Sequence, residues 1–119
     1  MRQRKIKDID QKLSDFDDVI VPSSEGHSGS WRKLFENGTD KPLFLEIGSG
    51  KGRFITSSAS QNPDVLFLAA EGLASVIIRG MVKSREMELD NIRFITTYIN
   101  DMERDFAEGE LDGIFMNFS

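Results

Sequence analysis

The sequence predicts an α/β fold, in which helices cover a parallel sheet. Two observations support this prediction. From residue 43 onward, short apolar runs alternate three times with helical patterns, which is typical of parallel strands joined by right-handed crossovers. The first apolar run, Leu43–Ile47, leads directly into a turn with glycine at every second position from 48 to 52. A strand, a glycine-rich turn and a helix form the first unit of a nucleotide-type α/β fold.

The individual elements follow from the hydrophobic pattern. The second run is apolar throughout, which is typical of a strand buried on both faces. Gly80 lies inside the second predicted helix, where glycine costs about 1 kcal/mol in propensity, so we expect close packing there. The predicted strands are Leu43–Ile47, Val65–Ala70, Ile92–Thr96 and Gly113–Phe118, and the predicted helices are Arg53–Gln61, Ala74–Met87 and Asn100–Phe106, the last capped near Asn100.

Residues 1–42 are predicted to be an N-terminal extension rather than part of the core, which is assigned to residues 43–119. The short apolar run Val19–Val21 ends at Pro22, and residues 23–30 are rich in Ser and Gly, as in a loop. Trp31, Leu34 and Phe35 are expected to form one face of a short helix that docks on the domain.

The last predicted strand would leave an apolar sheet edge. It carries Ile114, Phe115, Met116 and Phe118. Such an edge is normally covered by a further strand, and residues 43–119 suffice for about half of a doubly wound sheet. We therefore expect a domain that is truncated after the fourth strand.

Composition excludes several classes of protein. A chain of 119 residues with 39% hydrophobic and 29% charged residues fits one soluble domain. No apolar run approaches the ~18 residues of a membrane span, and the absence of cysteine excludes disulfides and thiolate chemistry. His27 has no second ligand of its type, so no metal site is predicted. A cytoplasmic protein without a membrane partner is expected.

Charge is distributed unevenly along the chain, whose net charge is −5. Four basic and no acidic residues occupy positions 1–7, and the remaining 11 basic and 20 acidic residues leave −9 for positions 8–119. A basic arm on an acidic body could contact the phosphates of a nucleic acid. A solvated terminal segment is the alternative.

Three classes of ligand-binding motif have a glycine-rich turn after the first strand. The phosphate-binding loop needs G-x-x-x-x-G-K-[ST], but Leu45 and Gly52 stand at its first and last positions. The dinucleotide fingerprint needs G-x-G-x-x-G, and Arg53 replaces its last glycine. The third pattern, an acidic residue two positions before G-x-G-x-G, is typical of S-adenosylmethionine-dependent methyltransferases, and Glu46 with the three glycines matches it.

Polar residues after the next two strands extend the predicted site. Glu71 ends the second strand, where a carboxylate can accept hydrogen bonds from two ribose hydroxyls. Asn100 or Asp101 could contact an adenine, although Asn and Asp at such positions commonly cap helices. The predicted cofactor is S-adenosyl-L-methionine, and its predicted binding residues are Glu46, Gly48, Ser49, Gly50, Gly52, Glu71 and Asn100.

Segments across essentially the whole chain resemble the bacterial tRNA (guanine-N7-)-methyltransferases. These segments are Leu45–Ile55, Gln61–Asp64, Glu71 with Ser75–Ile77, Asn91–Phe94, and Gly109–Asp112 through Asn117-Phe118-Ser119. The final Asn-Phe-Ser is the most specific, because generic methyltransferases do not share it. The resemblance implies a Rossmann-like class I S-adenosylmethionine-dependent methyltransferase fold, with tRNA as the partner and methyl transfer to N7 of a guanine in the tRNA variable loop.

The resemblance also implies where this chain departs from the family. There, Asn-Phe-Ser is followed by an aspartate and a Pro-Trp-Pro-Lys run that serve tRNA binding and catalysis, and these lie beyond Ser119. No catalytic residue is therefore predicted within the chain, which alone is expected to be inactive. Many members carry an aspartate at the position of Tyr98, so the adenine contact is left open among Tyr98, Asn100 and Asp101.

Two alternative functions remain from the sequence. One is a non-catalytic S-adenosylmethionine-binding fragment, and the other is a nicotinamide-dependent oxidoreductase half-domain. In the favoured interpretation, guanine N7 already carries a free lone pair, so no general base is needed. The rate would then come mostly from proximity and orientation of the reacting groups.

Overall fold

The computed structural model describes residues 11–116 and shows a parallel sheet with helices on both faces. The strands are β1 (Ile20–Val21), β2 (Leu43–Ile47), β3 (Leu66–Ala70), β4 (Ile92–Ile95) and β5 (Gly113–Met116). The helices are α1 (Arg53–Gln61), α2 (Ala74–Glu86) and α3 (Met102–Asp105), with a 3-10 helix at Trp31–Leu34. The predicted α/β class is confirmed, and the element ends differ from the predicted ones by at most two residues where they are described.

The sheet has the strand order β1-β4-β3-β2-β5, with every neighbouring pair parallel. The chain runs from β2 to β3 and β4 on one side, and then crosses back so that β5 pairs with the other side of β2. Open parallel sheets bind ligands in the crevice at such a reversal, beyond the carboxyl ends of the strands. The glycine turn that follows β2 lies at this point.

One sheet face is covered by α1 and α2. Ile55, Ile77 and Met81 from these helices pack with Phe67 and Phe94 of the sheet, and all five are buried. A Cβ atom at Gly80 would lie 3.2 Å from Cε1 of Phe94 and 3.4 Å from Cα of Gly52. The predicted close packing at Gly80 is confirmed, and it brings α2 against the start of α1.

The opposite face is covered by the N-terminal region and by the segment after β4. Trp31 is fully buried in a cluster with Phe35, Leu45 and Leu68, and its indole N–H donates to the carbonyl of Asp105 at 2.8 Å. The predicted docking of the Trp31 helix is confirmed. The side chains of this region therefore form the hydrophobic core on this face, which lacks a layer of long helices among the described residues.

The N-terminal region is predicted to be an extension outside the core, but in the structure it contributes a strand and buried side chains. Strand β1 pairs with β4, because the N–H groups of Phe94 and Thr96 donate to the carbonyls of Val19 and Val21 at 2.8 and 3.1 Å. Phe16 is buried under α2 as well. A two-residue strand is too short for a recognisable period, and Pro22 directly after it suggested a loop. The predicted fourth strand is therefore β5, the fifth in the described sheet.

The predicted helix cap near Asn100 is confirmed and lies at the next residue. Asp101, rather than Asn100, is the N-cap, and its side chain accepts a hydrogen bond from the Arg104 N–H at 3.1 Å. The cap must directly precede the first helical residue, and α3 begins at Met102. Asn100 is exposed and does not cap the helix.

The remaining structural predictions concern the edge strand β5 and the two ends of the chain. The predicted apolar edge is confirmed for β5, where Ile114, Phe115 and Met116 are 48%, 39% and 59% exposed. The basic residues of positions 1–7 and the Asn117-Phe118-Ser119 motif lie outside the described residues. Within residues 11–116, no helix has the length and apolar character needed to cross a membrane.

Candidate functional site

The main cavity among the described residues lies at the carboxyl ends of β2, β3 and β5, where the strand order reverses. It measures about 860 Å³ and is open to solvent. Five of the seven residues predicted to bind the cofactor line it: Glu46, Gly48, Ser49, Gly50 and Glu71. The structure therefore brings together residues that are up to 25 positions apart in the chain.

The glycine turn needs its glycines for conformation and for space. Gly48, Gly50 and Gly52 have φ angles of 71°, 57° and 77°, in the left-handed region that favours glycine. Gly52 does not line the cavity but is the N-cap of α1, and a Cβ there would lie 2.7 Å from Cα of Gly80. Gly52 thus fixes the path of the turn, and the residues before it face the cavity.

Glu46 is a buried carboxyl group. Its side chain projects from β2 and is 2% exposed, and its Oε1 atom has no hydrogen-bond partner among the described residues. Burial raises the pKa of Glu46 from 4.5 to about 7. An ionised carboxylate without a partner is costly in such a place, and a cation bound in the cavity would offset that cost.

The Ser49 hydroxyl, like Oε1 of Glu46, has no hydrogen-bond partner among the described residues. Ser49 is 3% exposed. Its backbone is well anchored, because the N–H groups of Gly48 and Ser49 donate to the carbonyl of Ala70 at 2.9 and 3.1 Å. Buried polar atoms are normally paired, and two unpaired ones at one cavity indicate groups that a ligand would satisfy.

Glu71, in contrast, is held by the backbone. Its Oε1 accepts a hydrogen bond from the Gly50 N–H at 3.1 Å, and its Oε2 accepts one from the Leu73 N–H at 3.1 Å. The carboxylate therefore links the end of β3 to the glycine turn. An ionised carboxylate has about four acceptor positions, so about two remain for a ligand.

Asn100 lies at a second, smaller cavity beside the first. This cavity measures about 200 Å³, and Gly48 and Glu71 line both cavities. Thr97 and Tyr98 also line it, and the Thr97 hydroxyl is the third buried side-chain atom without a partner among the described residues. Asn100 and Tyr98 are thus placed at the cavity, whereas Asp101 caps α3 and does not line it.

Some residues at the site were missed by sequence reasoning. Phe54 and Phe115 line the large cavity, with ring centroids 5.4 Å apart, and are 52% and 39% exposed. Neither is among the residues predicted to bind the cofactor, although an aromatic directly after the turn is a usable signal. Lys51 and Arg53 also line the large cavity and are exposed.

The described residues show no arrangement of three or more His, Asp or Glu side chains that could hold a metal ion. The polar groups that line the large cavity are two carboxylates, the Ser49 hydroxyl and the backbone of the turn. These groups suit an organic ligand that carries both positive charge and hydroxyl groups.

Comparison with known proteins identifies the family to which the chain is similar. Residues 40–119 match a family model described as "Putative methyltransferase". All 119 residues align, with 38% identity, with tRNA (guanine-N(7)-)-methyltransferases of a Geobacillus species and of Geobacillus thermodenitrificans, and cover 53% and 54% of those proteins. The corresponding protein of Bacillus licheniformis is 34% identical over 119 residues, which cover 55% of it.

The chain spans about half the length of the curated relatives it matches. The matched family segment contains β2 to β5 and both cavities. It includes the glycine turn, Glu46 and Glu71, and Gly48, Gly50 and both glutamates line the large cavity. The chain belongs to this methyltransferase family.

Proposed function

We propose that the large cavity binds S-adenosyl-L-methionine, and that the chain supplies the cofactor-binding part of a tRNA (guanine-N7-)-methyltransferase. The observation that carries the proposal is a pair of carboxylates, Glu46 and Glu71, that face one cavity beside the glycine turn. One is buried without a full set of partners, and the other is fixed by backbone N–H groups.

The donor and acceptor groups of the site fit this cofactor. Its sulfonium and ammonium groups are cationic, and Glu46 is the buried group that a cation would stabilise in its ionised form. Its ribose carries two hydroxyl donors, and Glu71 retains free acceptor positions. A pyrophosphate would bring negative charge toward Glu46, so the same groups disfavour a nicotinamide dinucleotide.

The residues of this chain contribute binding and orientation. S-adenosylmethionine supplies an electrophilic methyl group. Glu46 would hold the cationic end, Glu71 would hold the ribose, and the turn at Gly48–Gly50 allows the backbone to approach closely. Holding the reacting groups in a productive geometry can supply much of the rate of a bimolecular transfer. Guanine N7 has its own lone pair, so no residue is required to remove a proton from it.

The substrate is proposed from the relatives. The similar proteins are named as enzymes that act on a guanine of tRNA, and a tRNA substrate would imply a cytoplasmic protein. The basic residues at positions 1–7 would supply phosphate contacts in this proposal. Catalytic groups are assigned to the part of the relatives that this chain does not cover.

Calorimetric titration of the chain with S-adenosylhomocysteine tests cofactor binding. We expect saturable binding, and no binding of NAD⁺ under the same conditions. Tight binding of NAD⁺ without binding of S-adenosylhomocysteine would favour the oxidoreductase alternative and contradict the proposal.

A chimera tests the substrate. Joining this chain to the remainder of the Geobacillus relative supplies the uncovered part of the enzyme. We expect N7-methylguanine to form in tRNA, and substitution of Glu71 by Ala to abolish it. A chimera that binds S-adenosylhomocysteine but methylates no tRNA would contradict the proposed activity.

A further inference from the structure

Two segments beside the large cavity contain basic residues and no acidic ones. Residues 47–63 contain the glycine turn and α1, and residues 72–85 contain nearly all of α2. A solvated helix face usually carries both signs of charge. The chain has 20 acidic residues among 119, yet the charged residues of these two segments are Lys51, Arg53, Arg79, Lys83 and Arg85.

The two segments meet at a pair of glycines. A Cβ atom at Gly80 would lie 3.4 Å from Cα of Gly52 and 3.6 Å from the carbonyl oxygen of Lys51. Because neither glycine has a side chain, the two backbones approach closely, and the neighbouring residues lie on adjoining parts of the surface. Lys51 and Arg53 flank the first glycine, Arg79 precedes the second, and all three are exposed.

One side of α2 continues this surface away from the cavity. Val76, Arg79 and Lys83 are three and four positions apart, so they are neighbours on the same side of the helix. Val76 lines the large cavity, as Lys51 and Arg53 do, and Arg79 and Lys83 are exposed. The basic residues therefore extend from the cavity along the outside of α2.

These basic residues differ from Arg85 in their partners. Arg85 is two positions from Lys83, so it faces another direction, and its guanidinium pairs with Asp18 at 2.6 Å. The other four basic residues of the two segments form no ion pair within residues 11–116, and this includes Lys83 with the nearby Glu86. Their positive charge is thus available to an anion from outside the chain.

Building on the proposed function, we propose that a basic helix surface, formed by Lys51, Arg53, Arg79 and Lys83, binds backbone phosphates of the tRNA substrate beside the large cavity. Lys and Arg are common phosphate contacts in nucleic-acid complexes, and such contacts fix the position of the nucleic acid without reading its sequence. Residues 8–119 carry a net charge of −9, so acidic regions elsewhere repel phosphates, and this surface directs them to the cavity.

Fluorescence anisotropy of a labelled tRNA transcript, measured with the chain at several salt concentrations, tests the surface. The variant combines Arg79→Glu with Lys83→Glu, because neither residue lines the two cavities of the site. We expect its affinity for tRNA to fall by about 10-fold at about 0.1 M salt. The slope of log K against log[salt] should become shallower by about 1–2. Arg79→Gln with Lys83→Gln should cause a smaller loss in the same direction.

Lys83→Glu and Lys33→Glu form a matched pair, because each changes the net charge equally. Lys33 is exposed in the 3-10 helix on the opposite face of the sheet and forms no ion pair among the described residues. We expect Lys83→Glu to weaken tRNA binding severalfold and Lys33→Glu to leave it nearly unchanged. Equal losses would show that only net charge matters, and would overturn the assignment.

Binding of S-adenosylhomocysteine separates this inference from the proposed function. Each variant should bind it as the unmodified chain does, which also shows that the variant is folded. Failure of the unmodified chain to bind it would contradict the proposed function. If the unmodified chain binds it but does not bind tRNA, or if the variant with Arg79→Glu and Lys83→Glu keeps full affinity for tRNA, only the basic helix surface is overturned.

Discussion

Glu46 and Glu71 face the same cavity from neighbouring strands, yet their surroundings are opposite. Glu46 is 2% exposed, and its Oε1 atom has no partner among the described residues. Glu71 is partly exposed, and both of its oxygens accept backbone N–H groups. The fold satisfies one carboxylate and leaves the other dependent on its ligand.

The contrast indicates different tasks for the two residues. Glu71 is preorganised, because hydrogen bonds from Gly50 and Leu73 fix its orientation before a ligand arrives. Glu46 carries an energetic cost that a cationic ligand would relieve.

Glu46→Gln should change how stability depends on pH. The folded pKa of Glu46, about 7, lies above its unfolded value of 4.5. A raised folded pKa stabilises the protein below the unfolded pKa, and this contribution is lost as pH rises through the folded pKa. Relative to the unmodified chain, the variant should therefore gain on the order of 3 kcal/mol in unfolding free energy between acidic and mildly alkaline pH.

Urea unfolding across that pH range measures the effect, with Glu86→Gln as a matched control. Glu86 ends α2, is exposed, and makes no side-chain hydrogen bond or ion pair among the described residues. A stability difference between Glu46→Gln and the unmodified chain that stays constant with pH would show that Glu46 is not desolvated.

Glu71→Ala should lower the affinity for S-adenosylhomocysteine by about 100-fold, or about 2.7 kcal/mol. The substitution removes the proposed acceptor for the ribose and also releases the Gly50 N–H of the turn. Hydrogen bonds to charged groups contribute about 1.5–3 kcal/mol each. Calorimetry measures the affinity, and Glu86→Ala should leave it unchanged. Full affinity in Glu71→Ala would remove Glu71 from the site.

Gly52→Ala should destabilise the turn that joins the two carboxylates. Its added Cβ would lie 2.7 Å from Cα of Gly80, and its φ of 77° already disfavours alanine. Gly26 is the matched control, because its φ is 86° and no atom lies within 4 Å of an added Cβ.

Thermal unfolding should show Gly52→Ala to be about 2 kcal/mol less stable than Gly26→Ala. Both variants place alanine at a positive φ, but only the Cβ of Gly52→Ala is forced against another residue. Equal losses in the two variants would mean that the approach of α2 to the turn is not tight.

Ser49→Ala should have the smallest effect. Removal of a buried hydroxyl without a partner should leave stability nearly unchanged, whereas a lost hydrogen bond to the ligand should lower affinity severalfold. Thr56→Val is the contrasting variant, because the Thr56 hydroxyl donates to the carbonyl of Gly52 at 2.6 Å. Calorimetry and thermal unfolding should separate them, with Thr56→Val losing stability. Unchanged affinity in Ser49→Ala would exclude its hydroxyl from the site.

Much of the fold could be predicted from the sequence, because the hydrophobic pattern of the central strands reports their burial. Leu66–Ala70 is buried on both faces, and the pattern of continuous apolar residues reports that directly. Strand β1 could not be predicted, because two residues carry no period and their pairing with β4 depends on contacts distant in the chain.

The site was predictable to a similar extent. The glycine spacing pointed to Glu46, since the positive φ angles at the turn demand glycine whatever the ligand. Glu71 was predicted from its place at the end of the buried second strand. The contrasting environments of the two glutamates were not predictable, because burial and the bonds from Gly50 and Leu73 arise only when β2 and β3 pair.

We propose that Glu46 binds the cationic end of the ligand and that Glu71 binds its ribose. Titration of Glu46→Gln and Glu71→Ala with both S-adenosylhomocysteine and adenosine, which lacks the charged end, tests it most directly. We predict that Glu46→Gln weakens binding of S-adenosylhomocysteine but not of adenosine, and that Glu71→Ala weakens both. Equal loss of both ligands in Glu46→Gln, or no loss of either in Glu71→Ala, would contradict the assignment.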